Sequence, residues 1–371
     1  MKIKILFILV ILLLSGCSGQ GNGIHENTQN QNSKSNELSI ATKSEDEKAD
    51  WFIGAINGTL KIHMKLNVVQ DKVSGVYYYD AHKKNINLSG DIYNNLFTVY
   101  EKDSKGSIDA IFASDELIEG VWYDDKNTYP IYLIKEGSNI PIPQSPDSNL
   151  MRWKNSWKGE TSGFYSGSEL TIYPVFNNLI RFDISAFSGT HSGGFVSLAL
   201  LNNNTAVYKG ENNTYLKFVL KDDGDVELDT NDYTYNCGMG VAYDSAYTTK
   251  KLNIVPPTAK EVGLVYTDEQ EKIFKELTGE YYIEFIQYAQ FYTDEEELDG
   301  LGFSVRKFGL RGDFNAAIVM INQKDNTVLA AVEGADAIYY FTNNKEFTNP
   351  PDTIKKWCNE KRDAKVITIV R

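Results

Sequence analysis

A chain of 371 residues is long enough for two or three domains. Its 42% hydrophobic and 12% aromatic content, with 23 Tyr and 18 Phe, excludes a disordered polymer and suits a β-rich fold. The formal net charge is −13, and about −15 once residues 1–17, with two lysines and no acids, are set aside. Such a chain repels phosphate backbones, which argues against nucleic acid as a partner.

The N-terminus reads as an export signal. Lys2 and Lys4 precede an unbroken apolar stretch from Ile5 to Leu14, and small residues follow. Ten apolar residues fall short of the roughly 20 that span a hydrocarbon core. The closing run Leu14-Ser15-Gly16-Cys17 resembles the lipobox of bacterial lipoproteins. That resemblance implies removal of residues 1–16 and a diacylglyceryl group on the Cys17 thiol. The membrane, reached through this covalent lipid, is then a partner. A two-chain anchor is durable where a single acyl chain is not. The protein is expected on the extracytoplasmic face of the cell membrane. Ser18 lacks the Asp that marks inner-membrane retention in that family, so an outer membrane stays open for a two-membrane cell. A bias to Lys, Asn and Ile, typical of low-GC genomes, favours a single membrane. The resemblance covers about 20 residues, and the mature region is assigned to no family.

Residues 17–50 are rich in Gly, Asn, Gln, Ser, Lys and Glu and cannot bury enough apolar area to fold. They read as a disordered tether with an r.m.s. span of roughly 30 Å. Residues 51–137 read as a β-meander. Leu60, Ile62, Met64, Leu66 and Val68 alternate with Lys61, His63, Lys65 and Asn67. Six further strands follow, at 76–79, 86–88, 96–100, 108–112, 117–122 and 129–134. Short strands at close spacing suggest a small barrel or sandwich. Pro141, Pro143 and Pro146 mark a linker over 137–149.

A second β-barrel or sandwich is expected over 150–252, with strands at 170–173, 180–186, 195–201, 206–208, 216–220 and 226–228. Similar strand spacing suggests that the two β regions are diverged copies of one module. The stretch 258–371 reads as an α+β domain. Thr267–Leu277 has a helical apolar face and Gly279 as its stop. Tyr281, Phe285, Tyr288 and Tyr292 suggest a second helix, and Pro350 or Pro351 opens a third. Strands are expected at 303–307, 316–321, 328–332, 338–341 and 366–370. The predicted fold class is therefore mainly β, two antiparallel modules followed by an α+β domain.

Chemistry is less legible. No nucleophile elbow, phosphate loop, paired-histidine metal motif or kinase set is present. No cofactor and no metal is expected. Besides Cys17 the cysteines are Cys237 and Cys358. Export allows one disulfide between them, but their placement in different domains favours two isolated thiols. His191, within Ser188-Gly189-Thr190-His191-Ser192-Gly193-Gly194, reads as part of a glycine-rich hairpin loop rather than a base. The acidic run Asp294–Asp299 lacks the alternation of a Ca²⁺ loop and reads as a solvated turn, with Thr293 or Asp294 capping a helix. Trp153, Trp157, Tyr340 and Trp357 are the candidate ligand-binding residues, since exposed aromatics stack on sugars or peptides. The favoured function is a cell-surface binding or interaction module for a peptide, glycan or envelope protein. The alternatives are an envelope hydrolase in the C-terminal domain, using acids with Arg306 and Arg311, or a structural assembly lipoprotein.

Overall fold

The strands of the first β region close on themselves. In the computed structural model, residues 50–370 are described, except 94, 311, 312, 336 and 362–364. The export signal, Cys17, His25 and the tether through residue 49 lie outside the described residues, as does Arg311.

Eight antiparallel strands form the first barrel: β1 (Trp51–Ile56), β2 (Leu60–Val69), β3 (Lys72–Tyr79), β4 (Ile86–Tyr93), β5 (Leu96–Glu101), β6 (Ser107–Ser114), β7 (Leu117–Tyr123) and β8 (Thr128–Lys135). Each pairs with the next, and β1 pairs with β8 to close the cylinder. Sequence alternation did not reveal β1, whose apolar residues are nearly continuous. Asn57 and Gly58, both with positive φ, make the tight β1–β2 turn. Period-two alternation sends Ile62, Met64 and Leu66 inward, where they join Tyr77, Phe97, Val99 and Ile131 in a filled core. Lys61 and Lys65 take the opposite face of β2, so charge points outward, the reverse of a barrel that faces lipid. A buried carboxylate lies at one rim. Glu101 accepts from Tyr77 Oη at 2.5 Å and Trp122 Nε1 at 2.8 Å, and from Ser104 Oγ.

The second barrel repeats that connectivity with β9 (Asn155–Gly159), β10 (Ser166–Phe176), β11 (Leu179–Ser188), β12 (His191–Asn202), β13 (Thr205–Lys209), β14 (Tyr215–Leu220), β15 (Val226–Thr230) and β16 (Ala246–Thr248). The short strands β9 and β16, neither of them expected, close the barrel through Tyr247 opposite Gly159 and Thr248 opposite Lys158. The glycine-rich stretch is the expected hairpin between β11 and β12. Ser188 pairs with His191, so only Gly189 and Thr190 form the turn.

The C-terminal region is a six-stranded sheet of β17 (Phe291–Glu295), β18 (Ser304–Leu310), β19 (Asp313–Asn322), β20 (Thr327–Glu333), β21 (Ile338–Thr342) and β22 (Val366–Val370), in that order. The first five run antiparallel. The last is parallel to β21, and α3 (Asp352–Asn359) makes the crossover. Helices α1 (Asp268–Thr278) and α2 (Tyr282–Tyr288) cover one face through Phe274, Leu277 and Phe285, while Ile354 and Trp357 of α3 cover the other. Thr267 and Gln270 form a capping box at the start of α1, and Gly279 ends it at φ 58. Tyr281, Phe285 and Tyr288 follow the expected helical stripe, but Tyr292 lies on edge strand β17 and is exposed.

The fold is thus mostly β, two eight-stranded antiparallel barrels and an α+β region. Among the described residues, no helix is long and apolar enough to cross a membrane.

Candidate functional site

Strand β11 shows how the second barrel presents charge. Ile180, Phe182 and Ile184 point into its core, so Arg181 and Asp183 share the outer face. Register places Tyr173 of β10 opposite Arg181 and Thr171 opposite Asp183. A register shift between Pro174 and Phe176 bulges β10 just before its turn, which is where a strand tolerates proline. The bulge turns Val175 and Phe176 toward the first barrel. There they pack with Leu179, Leu198, Ile111 and Val121 in a small apolar cluster between the barrels.

Beside that cluster is a cleft of about 560 Å³. Val121, Thr128 and Pro130 line it from the first barrel, and Lys154, Thr171, Tyr173, Pro174, Val175, Arg181 and Asp183 from the second. Its volume lies within the range of small-molecule sites, about 300–1,000 Å³.

Several surface charges of the second barrel pair: Lys158 with Glu169, Lys217 with Asp229, Lys221 with Glu227 and Lys250 with Asp225. Among the described residues, no ion pair within 4.0 Å involves Lys154, Arg181 or Asp183. The guanidinium carbon of Arg181 sits 5.7 Å from the centre of the Tyr123 ring. Its Nε is buried and has no hydrogen-bond acceptor among the described residues. An unmet buried donor of this kind costs about 1–3 kcal/mol.

Two buried carboxyls flank the cleft. Asp109 takes hydrogen bonds from Thr98 Oγ1 at 2.8 Å and from Tyr123 Oη at 3.4 Å. Burial pushes it above the usual carboxylate range, although Thr98, Arg181 and Tyr123 pull the other way. Glu119, only 2% exposed, accepts from Asn178 Nδ2 at 2.8 Å across the barrel junction. Burial raises it too, against the Asn178 bond.

The residues singled out from sequence lie elsewhere. Trp153, Trp157, Tyr340 and Trp357 are at most 1% exposed, which corrects their expected role in ligand binding, because no ring face is open to stack. Trp153 and Trp157 plug the second barrel. Trp157 Nε1 donates to the Gly224 carbonyl at 2.8 Å, and Tyr340 Oη to the Phe347 carbonyl at 2.9 Å. Trp357 anchors α3 to the sheet and donates to Asn315 Oδ1 at 2.5 Å.

The acidic run is structural in a way the sequence did not suggest. Thr293 and Asp294 belong to β17 and cap no helix. Asp294 pairs with Arg306, whose guanidinium lies between the rings of Tyr266 and Tyr292. Glu297 holds the Leu301 and Gly302 amides, and Asp299 caps α3 through Asp352 N, Thr353 N and Thr353 Oγ1. The acids and Arg306 considered for a hydrolase are therefore engaged in structural contacts. Cys237 and Cys358 are free thiols at separate cores. Among the described residues no group of three or more His, Cys, Asp or Glu is placed to hold a metal.

Sequence reasoning missed Lys154, Tyr173, Arg181 and Asp183. Arg181 and Asp183 look like ordinary outward positions of an alternating strand. Only contact with the other barrel makes them a site.

No family model matches the chain, and no curated protein does. Among solved structures, a protein of unknown function from the DUF3598 family of Nostoc punctiforme aligns at 14% identity and a TM-score of 0.18. That alignment covers 49% of this chain and 77% of the other.

Proposed function

We propose that this protein is a lipid-anchored, extracytoplasmic binding protein, and that its ligand occupies the cleft between the two barrels. One observation carries the binding half: Arg181 and Asp183, neither in an ion pair within 4.0 Å, line a cavity of ligand size together with Val121, Pro130, Pro174 and Val175. The run Leu14-Ser15-Gly16-Cys17 after a short apolar stretch supports the anchor.

Both halves have direct tests. Cys17→Ala should leave the protein unprocessed or release it from the membrane fraction. If the variant fractionates and migrates like the parent, the anchor is wrong. For binding, the chain from Ser18 onward keeps every described residue and is the form to melt against a compound library. Stabilising compounds should lose their effect in Thr171→Trp, which fills the cleft from its wall. A ligand that stabilises this variant as well as the parent binds elsewhere.

A further inference from the structure

We infer that the cleft between the barrels takes a small zwitterion with an apolar body. This rests on the cleft being a ligand site, and it names the ligand's chemistry. The cleft presents cations, Arg181 and Lys154, and one carboxylate, Asp183, with no ion pair among them. Had Arg181 and Asp183 been paired, as Lys158 and Glu169 are nearby, the wall would be electrically complete. Left apart, they match a ligand that carries both signs.

Arg181 and Asp183 stand two residues apart on the same face of β11, so one ligand lying along the strand can reach both. The ligand's carboxylate would lie against the terminal guanidinium nitrogens of Arg181, a charge-assisted pairing. Its ammonium would face Asp183. Val121, Pro130, Pro174 and Val175 offer apolar contact to its side chains. Asp109, which faces Arg181 from the first barrel, already accepts from Thr98 and Tyr123.

Titration calorimetry on the chain from Ser18 onward tests this with Leu-Leu, its N-acetyl form, its C-terminal amide, the doubly blocked form and free leucine. Both zwitterions, Leu-Leu and free leucine, should bind more tightly than the doubly blocked form, and each singly blocked form should lose at least about tenfold in Kd relative to Leu-Leu. Arg181→Ala should weaken Leu-Leu but leave the amide unchanged. Asp183→Ala should weaken Leu-Leu but leave the N-acetyl form unchanged. If the N-acetyl form or the amide binds as well as Leu-Leu, in an Arg181- or Asp183-dependent way, the cleft remains a site and the zwitterion inference falls. If none of the five probes gives heat of binding, the inference falls, and the library melt decides separately whether the cleft binds anything.

Discussion

Arg181 packs on the Tyr123 ring and makes no ion pair within 4.0 Å, whereas Lys158 and Lys221 of the same barrel pair with carboxylates. Burial without a matched partner also governs Glu119. Its pKa is raised above the ordinary 4.5, so the folded chain binds this proton more tightly than the unfolded one. Stability from this group therefore falls as pH rises from about 4.5 through the raised folded value. Glu119→Gln keeps an oxygen for Asn178 and removes the charge. At pH 7 its melting temperature should equal or exceed that of the parent, and the difference should shrink toward pH 4.5. A variant less stable at neutral pH would mean that the charge itself is needed. Asp244 is the opposite case, a buried acid with donors on both oxygens. It accepts from the Thr161 amide and hydroxyl and from Ser168 Oγ. Asp244→Ala should cost about 3 kcal/mol in a denaturant melt, since charge-assisted bonds are lost and donors are stranded. Cys358 is pushed up to about 11 by burial. Alkylation at pH 8 should be slow until the chain unfolds; rapid labelling of the native protein would contradict its placement. At this scale sequence identifies residue types well and burial poorly. Trp153 and Trp357 look equally suited to a binding face or a core, because indole serves both, and only packing distinguishes them.

Elements with clean periodicity were legible. The alternation from Leu60 to Val68 and the helix of Thr267 to Leu277 both appear in place. What escaped were the strands that close each barrel. β1 carries a nearly continuous apolar run, β9 is mostly polar, and β16 is three residues long. None alternates over enough residues to be distinguished, and each has one partner distant in sequence. Gly54 shows how tight the β1–β8 seam is. A Cβ there would lie 1.8 Å from the Tyr132 carbonyl oxygen, which is backbone and cannot swing aside. Gly54→Ala should cost about 3 kcal/mol by forcing the seam apart. Hydrogen exchange should then rise first in β1 and β8. Unchanged protection there would show that the seam is looser than described.

Across the whole molecule, the two barrels have the same connectivity and meet on outer faces that sequence cannot pair. The cleft was invisible for that reason: its walls come from residues 121–130 and 154–183, each unremarkable within its own module. Phe176, in the bulge of β10, is the largest of the buried side chains in the junction cluster. Phe176→Ala should cost about 3–5 kcal/mol at that contact. It should also expose the connecting segment 137–149 to protease, because Asn177 N and Oδ1 bind that segment at Gln144 and Asp147. Equal digestion of parent and variant would argue that the barrels are not coupled through this cluster. The central claim is that the cleft takes a zwitterion held by Arg181. Calorimetric titration of Leu-Leu into the parent and into Arg181→Ala tests it most directly. The account predicts saturable 1:1 binding that is at least about tenfold weaker in the variant. Indistinguishable binding curves for the two proteins would contradict it.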